Sequence, residues 1–141
     1  MTLSKRYVLD TSALLAFQLD EAGSDIVEEL LSLGQKQKTI LFTSFVTWTE
    51  IYYITAQKLG KERALETLAQ LKTLPLERTD PDEEQIVLAG DLKADYPISF
   101  ADAYVAATAI QREAILIHKD PEFEALNDRL QHQPLPYKKL Q

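Results

Sequence analysis

Apolar residues fall along the chain in two alternating patterns, short solid runs and longer stretches at helical spacing. Arg6 to Leu9 is a short run that predicts a buried strand ending at Asp10, with Thr11 or Ser12 placed to cap a helix beginning near Ala13. Ser24 to Lys36 carries Ile26, Val27, Leu30, Leu31 and Leu33 at helical spacing and runs out in Gly34-Gln35-Lys36-Gln37-Lys38. Ile40-Leu41-Phe42-Thr43 predicts a second buried strand. A helix from about Phe45 to Leu59 stops at Gly60, and another from Lys61 to Thr73 carries Ala64, Leu65, Leu68 and Leu71 on one face.

Leu74 to Arg78 reads as a short strand. Asp80-Pro81-Asp82-Glu83 supplies a cap residue, a proline at the first helical position and an acid at the third, predicting a helix to about Ala94 that Pro97 ends. Ser99 opens a helix to about Glu113, and Ile115-Leu116-Ile117-His118 is a strand that again runs into an acid, Asp120. Leu135-Pro136-Tyr137 is placed as an edge strand, because proline is poorly tolerated in a central one. Strands alternating with helical stretches imply an α/β fold, a mainly parallel sheet with helices on both faces.

Composition narrows the chemistry. The 141 residues fit one domain, 1–141, with 45% apolar and 26% charged residues in the usual globular proportion. Without cysteine there is neither a disulfide framework nor a thiolate zinc site, so any metal must be held mainly by oxygen. Nothing approaches the ~20 apolar residues of a membrane span, and no leader pattern precedes Tyr7, so no membrane association and a cytoplasmic location are expected. The net charge of -7 argues against broad attachment to nucleic acid through a basic surface. It is compatible with a nuclease whose acids gather around cations.

Four acids stand out. Strand C-termini in a parallel sheet share one edge, where ligands bind at the switch in strand order, and Asp10 and Asp120 both sit just beyond such ends. Each is equally at home as a helix-capping or turn acid. Asp102 lies in the first turn of a helix that is apolar nearly all round, where an uncompensated carboxylate is costly; a capping box from Ser99 is the plainer role. Glu50 has Val46, Thr47, Tyr53 and Ile54 as helical neighbours, which encloses it more than a solvent-facing acid would be. Several such oxygens suit Mg2+ or Mn2+, and those ions support water attack on a phosphodiester without a protein nucleophile.

Four blocks in order then resemble a PIN domain over essentially the whole chain: Val8-Leu9-Asp10-Thr11-Ser12-Ala13, Ser44-Phe45-Val46-Thr47-Trp48-Thr49-Glu50, Ile98-Ser99-Phe100-Ala101-Asp102-Ala103, and Ile115-Leu116-Ile117-His118-Lys119-Asp120-Pro121-Glu122-Phe123. The resemblance implies a three-layer α/β/α fold and Mg2+- or Mn2+-dependent cleavage of RNA, with Asp10, Glu50, Asp102 and Asp120 as catalytic and metal-binding acids. Ser12 matches a position near the metal pocket, though capping the next helix serves it equally. A chain of this size resembles the VapC-type toxins of type II toxin-antitoxin pairs, which implies a homodimer and a cognate antitoxin as partner. His118 departs from the Thr or Ser of many relatives and reads as a structural histidine. Glu122 is a supplementary acid or a first-turn helix acid, Lys119 and Lys93 are solvated or phosphate-facing, and Phe45, Trp48, Tyr52 and Tyr53 serve the core or an interface.

Two other readings fall on local residues. A haloacid-dehalogenase-like phosphatase wants a second Asp where Ser12 stands, and a dinucleotide-binding turn wants glycines that Asp10-Thr11-Ser12-Ala13 lacks. A PIN-fold module that binds RNA or serves as a scaffold without cleaving remains the alternative from another class.

Overall fold

The computed structural model describes residues 4–138. Five strands, β1 (Lys5–Leu9), β2 (Thr39–Ser44), β3 (Glu77–Thr79), β4 (Ile115–His118) and β5 (His132–Pro134), form one sheet in the order β3-β2-β1-β4-β5, and every pairing is parallel. Six helices cover it: α1 (Thr11–Gln18), α2 (Ser24–Gln35), α3 (Phe45–Leu59), α4 (Lys61–Leu71), α5 (Glu83–Asp95) and α6 (Phe100–Gln111). A 3-10 helix, Pro121–Leu126, follows β4.

The pleat sends successive side chains to opposite faces, so adjacent apolar residues in a central strand enter different cores. Val8, Phe42 and Leu116 pack with α5 and α6, while Leu9, Leu41 and Ile117 pack with α1, α2, Ile51 of α3 and Leu71 of α4. That alternation makes three layers, α/β/α, and accounts for the solid apolar runs at β1, β2 and β4. Helix α6 is buried at Ala103, Val105, Ala106, Ala107, Thr108 and Ala109, so it lies flat against the sheet with small side chains that allow close approach.

Several boundaries differ from the sequence expectation. The cap of α1 is Asp10 itself, whose side chain accepts from Ser12 N–H, and not Thr11 or Ser12. Helix α5 is capped by Asp82, which accepts from Gln85 N–H, so Asp80 and Pro81 stay in the approach loop. Leu74 and Leu76 close tight turns, pushing β3 to Glu77–Thr79. The edge strand is His132–Pro134, before the predicted Leu135–Tyr137; proline is tolerated there because β5 has an unpaired outer side. Leu135 then turns inward, 1% exposed, with its N–H donating to His118 C=O at 2.7 Å.

Strand order reverses at β1. The chain leaves β1 for β2 and β3 on one side, then crosses back through α5 and α6 to β4 and β5 on the other. The C-terminal edge between β1 and β4 is therefore the topological switch point, and Asp10 and Asp120 flank it. No helix among the described residues is long and apolar enough to cross a membrane.

Candidate functional site

Asp10 emerges at the end of β1 with its N–H donating to Ile117 C=O of β4, which carries the sheet's pairing into the site. Its carboxylate is 4% exposed; Oδ2 accepts from Ser12 N–H at 3.1 Å and from Ser12 Oγ at 2.5 Å. Ser12 Oγ in turn accepts from Lys119 N–H at 2.8 Å. Ser12 therefore ties the first acid to the loop that carries Asp120, a role beyond helix capping. Burial raises the Asp10 carboxyl to about 6; the Ser12 hydrogen bonds work against the shift, and the charges of Glu50 and Asp120 add to it.

Asp102 is brought in by the start of α6. Ser99 Oγ accepts from Asp102 N–H at 3.1 Å and stops there: among the described residues no bond returns from the Asp102 carboxylate to Ser99, so the capping box is half made. The carboxylate instead joins those of Asp120 and Glu122, with ligand oxygens of all three within 4.8 Å of one another. Burial, a hydrogen bond with Glu122 and the charges of Asp10 and Asp120 push Asp102 far above the ordinary carboxylate range, favouring its neutral form.

Asp120 caps the 3-10 helix, its Oδ1 accepting from Glu122 N–H at 3.0 Å, and its own N–H donates to His118 Nδ1 at 3.1 Å. Glu50 lies on α3, half-buried, with Oε1 accepting from Thr11 Oγ1 at 2.6 Å. Thr11 Oγ1 lies 3.2 Å from buried Thr47 Oγ1, so a hydroxyl pair holds Glu50 at the rim. The structure thus groups Asp102, Asp120 and Glu122 tightly, places Asp10 against them, and sets Glu50 beside Asp10. Glu122 is the acid the sequence underweighted. An acid in the first turn of a short helix is common on dipole grounds, and only the fold shows that this one faces Asp102.

Among the described residues none of the five acids takes part in an ion pair. Lys119 is turned away: its side chain is 4% exposed, and Nζ donates to Ala22 C=O at 3.0 Å and pairs with Glu21. It latches the loop to the segment after α1. Lys93 lies beside Phe100 and Tyr104 on the α5–α6 side. Clustered hard oxygen donors, whose mutual repulsion a cation would relieve, fit a divalent hard metal such as Mg2+ or Mn2+.

Of the aromatic residues, Phe45 packs edge-on against Tyr104, and half-buried Trp48 donates from Nε1 to Thr43 Oγ1 at 2.9 Å. Tyr52 is half-buried, and Tyr53 alone of the set is exposed. A groove of about 310 Å³ runs from Asp120 and Ser12 past Leu15, Leu19 and Lys58, and an apolar groove of about 430 Å³ continues it along α1 and α3. Of the pocket acids, Asp120 lines this groove directly.

The chain's fold is similar to the VapBC complex from Salmonella typhimurium bound to DNA, at 20% identity over 94% of this chain and 98% of that chain, with a TM-score of 0.74. It is also similar to VapBC2 from Rickettsia felis bound to a promoter DNA fragment, at 18% identity, 93% and 99% coverage and a TM-score of 0.73. VapC20 from Mycobacterium tuberculosis, described as a sarcin-ricin loop cleaving toxin, shares 16% identity over 86% of this chain and 95% of that one, with a TM-score of 0.66. None of the curated proteins matches the sequence. Residues 7–128 match the family model for the PIN domain, and the chain belongs to that family.

Proposed function

We propose that residues 1–141 act as a single PIN domain, a Mg2+- or Mn2+-dependent endoribonuclease that is the toxin of a type II toxin-antitoxin pair. The observation that carries this reading is the gathering of Asp102, Asp120 and Glu122 next to buried Asp10 at the sheet's switch point, with no basic side chain among the described residues paired to any of them. Asp10, Glu50, Asp102 and Asp120 are the acids that hold the metal, with Glu122 beside them and Ser12 steadying Asp10. When bound, the cation supplies Lewis-acid activation of water and stabilises negative charge on the attacked phosphate.

The chain's own residues set the conditions for that step. A bound cation would favour the ionised form of Asp102, and the burial that raises its pKa also keeps the pocket's dielectric low, which strengthens charge interactions there. Among the described residues Asp10, held by Ser12, takes no part in an ion pair that would have to break. The groove past Leu15, Leu19 and Lys58 accommodates a chain-like substrate. A cognate antitoxin draws support from the similarity to VapBC complexes, and RNA as substrate from the family and the similarity to the toxin VapC20; a homodimeric state and a cytoplasmic location belong to the same proposal.

Incubating the purified chain with RNA tests the chemistry. Cleavage is expected with Mg2+ or Mn2+, not in EDTA, and is lost in Asp10→Asn and Asp102→Asn with circular dichroism unchanged. Cleavage that survives EDTA overturns the metal mechanism, and RNA binding without cleavage favours the non-cleaving module. Expression in bacteria tests the biological role: growth arrest is expected, relieved by Asp10→Asn, and harmless expression of the active enzyme contradicts a toxin.

A further inference from the structure

His118 is fully buried directly behind the acidic pocket, yet it is neither a pocket acid nor an apolar core residue. Its ring lies 4.9 Å from Phe123 and 5.0 Å from His132, nearly parallel to the latter at 20°. Every polar atom of the ring is used. Nδ1 faces the backbone N–H of Asp120 at 3.1 Å, and that group can only donate, so Nδ1 carries no proton. Nε2 therefore carries one and donates to His132 Nδ1 at 2.7 Å. His132 must then donate from Nε2, and it meets Asn127 Oδ1. Each bond fixes the direction of the next, from an exposed asparagine after the 3-10 helix, through the edge strand β5, to the backbone of a pocket acid.

We propose that Asn127, His132 and His118 form a hydrogen-bonded positioning chain that fixes the Asp120 backbone and so sets the aim of its carboxylate toward Asp102 and Glu122. The inference rests on reading that pocket as a cation site. Without an acceptor, the Asp120 N–H would be orphaned just past the end of β4, where sheet pairing no longer holds it. Asp120 Oδ1 is already engaged by Glu122 N–H, so the carboxylate's orientation follows from the backbone geometry at both residues. Groups that orient metal ligands in this way typically alter affinity by ~10–100-fold when removed.

The test is Mn2+ binding to the full chain, read from the paramagnetic resonance of free Mn2+ and set beside thermal unfolding. His132→Phe keeps the ring and its packing but cannot accept from His118, and it is expected to weaken Mn2+ binding by about tenfold. His132→Asn places Oδ1 where Nδ1 stood and is expected to restore near-native affinity. Asn127→Ala, at an exposed position, is expected to weaken binding in the same direction but by less. Leu92→Ala, a core truncation in α5 that removes no hydrogen bond of Asn127, His132 or His118, is expected to lower the melting temperature with Mn2+ affinity unchanged. Native affinity in His132→Phe, equal weakening in His132→Phe and His132→Asn, or equal weakening in Leu92→Ala would each overturn the positioning role while leaving the cation site standing. Failure of the unmodified chain to bind Mn2+ would overturn both.

Discussion

Asp10 and Asp102 are carboxyls whose folded environment favours the neutral form, and that has a defined sign for stability without metal. Asp10 moves from 3.8 to about 6, so its contribution is fully present below 3.8 and is lost as pH rises through about 6. The loss amounts to about 3 kcal/mol, at ~1.4 kcal/mol for each unit of pKa difference. Asp102 has the same sign and continues to higher pH. His118 has the opposite sign: burial, with the neighbouring charge of His132, lowers it to about 4, so its contribution is present above 6.5 and lost as pH falls toward 4. From about pH 7.5 to 9 His118 is essentially neutral in both states and Asp10 has titrated, leaving Asp102 to act. Urea unfolding in EDTA should show this carboxyl's stability contribution falling across that window, with saturating Mg2+ removing the fall; the same pH slope in Asp102→Asn would contradict it.

What the sequence discloses at this scale is uneven. Asp10 and Asp102 are readable because a strand ends on one and an all-apolar helix begins around the other. The Glu122 contact is not, since its partner is twenty residues away and a first-turn acid is ordinary. His118 reads correctly as structural, but its pairing with His132 depends on β4 and β5 being neighbours, which short strands with a proline do not announce.

At the scale of elements, α6 joins stability to the site. Ser99 accepts the N–H of Asp102, so one hydrogen bond both starts the helix and places the acid. Ser99→Ala should cost about 1 kcal/mol of unfolding free energy, the usual loss of a serine cap, with Ser99→Thr recovering most of it. Equal stability of all three forms in chemical denaturation would contradict the cap. The long helices and the strands β1, β2 and β4 are legible from period alone. Strands β3 and β5 are three residues each, too short for alternation to show, and their positions are set by turns at Leu74 and Leu76 and by the inward turn of Leu135.

At the scale of the whole molecule, the all-parallel sheet follows from strands alternating with helices, and the strand order decides which loops converge. Strand order is where sequence reading ends: periodicity predicts layers, whereas the switch between β1 and β4 is a property of the packed sheet. The acidic balance of -7 becomes intelligible there as well, since five of the acids gather at one edge. On the proposed function this edge is a divalent-cation site. Crystals of the chain grown with Mn2+ and measured for anomalous scattering test it most directly. A peak amid Asp10, Asp102, Asp120 and Glu122, absent in Asp102→Asn crystals, is the predicted result. Peaks confined to other surfaces, or none at that edge under saturating Mn2+, would contradict it.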